Sequence, residues 1–245
     1  MKNLTLILIG FVFIIGCKET PEPPTEPEVT TMSLTVNHYF GDNELDLLNS
    51  SYTIASGEEA TFKRLAYLIA DFYLLKEDGS RLELEDQYAL ISLPNKTTIE
   101  LTNIPKGAYK ALGFKIGLDS ARNHGNPNQW PADHPLSPIN NSLHWSWQGG
   151  YIFTAIEGNI TGTRDNFVYH LAGAQNLTPY ELEFNFTKDN AALSGVLNYQ
   201  LDEVFKNPEA FSFQSDGLST HNVEHPTTKK LTANMVDVLS VKSME

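Results

Sequence analysis

Residues 61–75 read TFKRLAYLIADFYLL, and whether this stretch is helix or strand decides the fold class of the chain. Phe62, Leu65, Ile69 and Phe72 would line one face of a helix, so apolar periodicity alone leaves both readings open. Two neighbouring features favour the strand. The run passes straight into the turn signal KEDGS (76–80), and short runs rich in aromatic and β-branched residues surround it.

Those runs are SLTVNHYF (33–40), QYALISL (87–93), YKALGFKIGL (109–118), GYIFTAIEG (150–158), NFVYHL (166–171) and YELEFNF (180–186). Further turn signals are FGDN (40–43), NIPKG (103–107) and IEGN (156–159). Strands at roughly ten- to fifteen-residue spacing, without a βαβ rhythm, predict an all-β, antiparallel β-sandwich of the Greek-key or immunoglobulin-like kind. A long Asn- and Pro-dense loop at 119–142 is expected to be packed or functional. TTKKLTANMVDVLSV (227–241) is expected to begin as a short helix.

The N-terminal end reads differently. In MKNLTLILIGFVFIIG (1–16), Lys2 precedes an apolar run from Leu4 to Ile15. A membrane span needs ~20 apolar residues; a dozen suits a signal peptide. The run ends at Cys17, the sole cysteine. Gly16 before a lone thiol resembles a bacterial lipobox, with Ile14 where Leu is usual, so cleavage after Gly16 and lipidation of Cys17 are expected. An exported chain with one thiol forms no internal disulfide. Residues 17–31 (CKETPEPPTEPEVTT) are a lipid-anchored, Pro/Glu-rich linker that cannot pack. The domain proper is residues 32–245. The expected place is the cell envelope, anchored in the outer membrane by lipid and facing the periplasm or the surface. A net charge of −13 argues against nucleic acid as a partner.

Seven histidines occupy positions 38, 124, 134, 144, 170, 221 and 225. Period-2 alternation puts His38 on the same face as Leu34, Val36 and Phe40, hence inward. His170 shares a face with Val168, opposite Phe167, Tyr169 and Leu171, and which face is interior stays open. An inward imidazole is either a core histidine bonded to backbone or a metal ligand. The spacings match no zinc motif, and no cysteine is present for a blue-copper site. In LHWSWQGGYIF (143–153), Leu143, Trp145 and Trp147 share one strand face, with Gly149 and Gly150 forming a bulge. No nucleophile–base pair or paired-carboxylate pattern stands out, so catalysis is not expected.

GFKIGLDSARN, LHWSWQGGYIFTAIEG, FVYHLAG and STHNVEHPTTKKLTANMVDVLSV occur in that order, after VNHYFGDNELDLLNSSYT and LAYLIADFYLLKEDGS. This ordered set resembles the MbnP-like copper-binding domain family, found in methanobactin operons and in many lipoproteins of Bacteroidetes-type bacteria, over about 32–242. The resemblance implies a periplasmic or surface β-sandwich that binds one copper ion through histidines, for copper acquisition, storage or delivery. It implies His38 and His170 as ligands; His221, in STHNVEH, is expected as a third. It also implies a tryptophan oxidised to kynurenine by a dihaem peroxidase partner, at Trp147 first and Trp145 second. Two rival readings remain: a surface lipoprotein that binds carbohydrate or peptide through Trp130, Trp145 and Trp147, and a surface protein with no ligand.

Overall fold

The computed structural model describes residues 29–146, 149–188 and 192–244. Cys17, the signal segment 1–16, residues 18–28 of the expected linker and Trp147 lie outside the described residues. Residues 29–31, expected as the end of the linker, instead open the first strand.

The first strands in chain order are β1 (Val29–Phe40), β2 (Asn43–Glu44), β3 (Tyr52–Thr53), β4 (Glu59–Lys76) and β5 (Arg81–Glu83). There follow β6 (Ala89–Ser92), β7 (Thr98–Pro105), β8 (Gly107–Ile116), β9 (His144–Trp145) and β10 (Gly150–Ile160). The last are β11 (Asn166–Ala172), β12 (Thr178–Lys188), β13 (Leu193–Gln200), β14 (Ser219–Thr220) and β15 (Leu239–Met244). They form two sheets, an all-β sandwich as the sequence predicts. The smaller sheet runs β15-β13-β1-β2, with β7 also on β1. The larger runs β12-β8-β4-β10-β11-β14, with β3, β5 and β6 also on β4 and β9 on β10. Pairing is antiparallel except at β1·β13 and β11·β14, which are parallel. The sandwich is thus predominantly antiparallel, as expected, with parallel pairing at those two places.

The ambiguous stretch is the central strand of the larger sheet. Phe62, Leu65, Tyr67, Ile69, Phe72 and Leu74 of β4 enter the core between the sheets. Ala66, Leu68 and Ala70 enter a second apolar cluster on the sheet's opposite face. A strand buried on both faces is apolar almost throughout. Its register also slips against β10 and β8, so its apolar residues depart from strict alternation and mimic a helical stripe.

The 119–142 loop covers that second face. Leu118, Leu136, Leu143 and Trp145 pack there on Ala66, Leu68 and Ala155. Asn123 Oδ1 accepts from the Tyr151 backbone N–H (2.8 Å), and the Tyr151 hydroxyl donates to the Leu136 carbonyl (2.7 Å), tying loop to sheet. LHWSWQGGYIF is thus a hairpin rather than one strand. His144 and Trp145 pair with Tyr151 and Gly150, and the Gly149 N–H closes the turn on the Trp145 carbonyl at 2.8 Å. Gly149 has φ +67°, where a side chain would be strained. IEGN, read as a turn, lies inside β10. Pro226–Ala233 is the expected helix, with β15 after it.

Candidate metal centre

The site is assembled by register on the outer face of the larger sheet. In β11, Phe167, Tyr169 and Leu171 point into the core, so His170 points the other way. β14 runs parallel to β11 with Val168 opposite Ser219 and Tyr169 opposite Thr220. The next residue after β14 is His221, and its ring lies 4.8 Å from that of His170, edge to face at 78°. On the other side of β11, Ala155 of β10 is opposite His170, which makes Glu157 its diagonal neighbour. His170 Nε2–H donates to Glu157 Oε1 at 2.9 Å. Arg64, opposite Glu157 on β4, donates from Nη1 to the same oxygen at 2.8 Å and from Nη2 to the Ser142 carbonyl at 3.0 Å. Trp145 closes the cluster. Its ring centroid is 6.2 Å from His170 and 6.2 Å from His221, and it is buried, with 8% of its surface exposed.

The electrostatics leave ring nitrogens of the two histidines available. The His170 hydrogen bond, with help from Arg64 and against partial desolvation, holds the Glu157 carboxyl down at about 2. Partial desolvation, and then the His170 ring beside it, push the exposed His221 imidazole below its ordinary value, with Glu157 opposing. His221 is therefore neutral at pH 7, the form that binds metals. His170 Nδ1 is buried and has no hydrogen-bond partner among the described residues. An unpartnered buried nitrogen costs ~1–3 kcal/mol, so its retention asks for a partner of another kind. Two imidazole nitrogens suit copper and other borderline metals far better than calcium or magnesium. Among the described residues no three His, Cys, Asp or Glu side chains form a ready-made cage. The candidate donors are a pair of imidazoles, His170 and His221.

His38 does not belong to it. Its ring is buried between the sheets, 2.9 Å from the Tyr67 hydroxyl at Nε2 and 5.3 Å from the Tyr199 ring. Tyr67 and Ala66 are successive on β4. Tyr67 faces the core, whereas Ala66 faces out, in the row that runs through Ala155 to His170. The larger sheet therefore separates His38 from His170, and the expectation that they share an ion is corrected. Alternation in β1 already turned His38 inward; the sequence could not reveal the side His170 takes, because FVYHL is apolar on both faces. The other histidines have structural partners. His124 bonds the Gly149 carbonyl (2.8 Å), and His144 packs edge-on against Tyr151. His134 lies flat against Trp130 at 4.2 Å, and His225 caps the helix Pro226–Ala233 by accepting from Thr227 N–H. Trp130 and Trp145 make no shared exposed platform, since one stacks on His134 and the other is buried.

Glu157 and Arg64 escaped the sequence reading. Glu157 is the one charged residue of β10, and a lone charge inside an apolar strand needs a partner. That was the available signal, whereas Arg64 shares β4 with Lys63 and Asp71 and does not stand out.

A family model, MbnP, matches residues 29–224. The chain belongs to the MbnP family. A solved structure titled "MbnP from Methylosinus trichosporium" superposes with a TM-score of 0.61 at 15% identity, covering 87% of this chain and 98% of that one. At that identity the likeness to the solved MbnP concerns the fold. No curated protein matches the sequence. MbnP membership carries a copper-related, methanobactin-associated role at the level of the family. Residues 29–224 include the whole His170–His221–Trp145 cluster.

Proposed function

We propose that this MbnP-family protein is a lipid-anchored envelope protein that binds one copper ion through His170 and His221, for acquisition, storage or delivery of the metal. The observation that carries the reading is the pair itself. Two imidazoles lie 4.8 Å apart, one with a buried, unpartnered Nδ1, beside a buried tryptophan. His170 would supply Nδ1, and His221 would supply its neutral ring. Copper suits such a set because imidazole is a good ligand for it and a low donor count leaves room for handover. The role is that of a carrier rather than an enzyme.

Trp145 is the aromatic that a dihaem peroxidase partner would oxidise, because its ring approaches both imidazoles. The family resemblance supports this modification, and Trp147 lies outside the described residues. Lipidation at Cys17 rests on the short apolar leader that ends at the sole thiol.

The test is a competitive copper titration of protein isolated from its own host. His170→Ala and His221→Ala should each abolish tight binding, while His38→Ala and His124→Ala retain it. Equal copper uptake by wild type and the His170→Ala, His221→Ala double variant would place the site elsewhere. Mass spectrometry of the peptide carrying Trp145, and of an acylated Cys17 N-terminus, checks the two modifications.

A further inference from the structure

We infer that Glu157, steadied by Arg64, is the positioning residue that fixes Nδ1 as the nitrogen with which His170 takes its ligand. The inference deepens the copper reading and rests on it. A carboxylate has acceptors only, so the 2.9 Å contact with Glu157 Oε1 puts the ring proton of neutral His170 on Nε2. Nδ1 is then a bare lone pair, and it is the ring atom that the protein leaves buried and unpartnered. A neutral imidazole without such an anchor exchanges its proton between the two nitrogens. Each moment spent as the Nδ1–H form is a moment in which that atom cannot accept a metal.

Arg64 makes the anchor rigid. Its Nη1 binds the oxygen that His170 uses, and its Nη2 binds the Ser142 carbonyl, so the carboxylate is held between β4, β11 and the covering loop. The Arg64–Glu157 pair is half-buried and self-compensating, at 2.8 Å. Glu157 thus directs the ring without bringing an uncompensated charge to the site. Outer partners of this kind change metal affinity 10–100-fold.

The experiment compares wild type, Glu157→Gln and Glu157→Ala, each 15N-labelled and isolated from the host. Long-range 15N–1H correlation of the metal-free proteins reads the His170 tautomer, and competitive titration reads copper affinity. Wild type should show only the Nε2–H form. Both variants should show a mixture and bind copper at least tenfold more weakly, with unchanged far-UV spectra. Glu157→Gln keeps the side-chain shape, so it carries the test if the alanine variant misfolds. An Nδ1–H tautomer in wild type overturns the inference. So does wild-type copper affinity in both variants, and in that case loss of binding in His170→Ala still upholds the copper reading. A wild type that takes up no copper overturns both.

Discussion

His38 is a buried imidazole whose role is structural, and its titration can be read. Burial pushes it from 6.5 down to about 4, against a hydrogen bond to the Val36 backbone that raises it. Below pH 6.5 the unfolded chain takes a proton that the native ring refuses until about pH 4. Stability is therefore full above pH 6.5 and is lost as pH falls from 6.5 to 4, by about 3 kcal/mol from this group. Urea midpoints across that range should fall in wild type and stay flatter in His38→Leu. Equal slopes would remove the assignment. At pH 7 the leucine variant should be less stable by ~1–3 kcal/mol, because the Tyr67 hydroxyl loses its partner in the core. Its copper binding should be unchanged, since the sheet lies between His38 and the His170–His221 pair.

β14 matters at the scale of the element, because two residues of strand decide where His221 stands. Its parallel register with β11 brings His221 beside His170, and Thr220 is pinned from behind by the Thr228 hydroxyl of the helix Pro226–Ala233. Inserting one glycine between Thr220 and His221 should cut copper affinity as deeply as His221→Ala while leaving the far-UV spectrum intact. Retained affinity would mean that register does not set the pair. The slip of β10 on β4 is similarly demanding. A Cβ on Gly158 would lie 2.3 Å from the Thr61 carbonyl and 2.4 Å from the Phe167 ring. Gly158→Ala should cost ~1–3 kcal/mol in urea unfolding, and a neutral result would show that β10 can shift without penalty. Elements were the most legible level of the sequence. β1 follows from alternation, β11 from its aromatic and β-branched run, and the helix after His225 from its Thr/Lys-rich start. Gly149 and Gly150 were misplaced as a bulge because a hairpin turn and a bulge draw on the same residue type.

At the scale of the molecule, the larger sheet is shared by two apolar clusters, one between the sheets and one under the 119–142 loop. Neither cluster can dissolve without stripping a face of β4. Thermal unfolding should therefore be a single transition, with far-UV, tyrosine and tryptophan signals coincident. An earlier loss of the tryptophan signal would reveal an independently melting loop layer. Copper that binds only the native pair should raise the midpoint, by about 2.7 kcal/mol of added stability at a free concentration a hundredfold above Kd. The His170→Ala, His221→Ala variant should show no such rise.

The sequence by itself determined the class of the fold, because alternation and turn chemistry act over a few residues and need no partner to be read. It also marked His170, His221 and Trp145 as candidates, through the ordered motifs that contain them. What it could not decide was sidedness. FVYHL is apolar on both faces, so nothing local says whether His170 or Tyr169 meets the core. Only the docking of the smaller sheet on one face of β4, β10 and β11, and of the loop on the other, settles it. That docking turns His170 outward to Glu157 and His221, away from His38, which alternation in β1 had already placed inward beside Tyr67. Contacts across 51 positions, as between His170 and His221, belong to strand register, and register is a property of the assembled sheet.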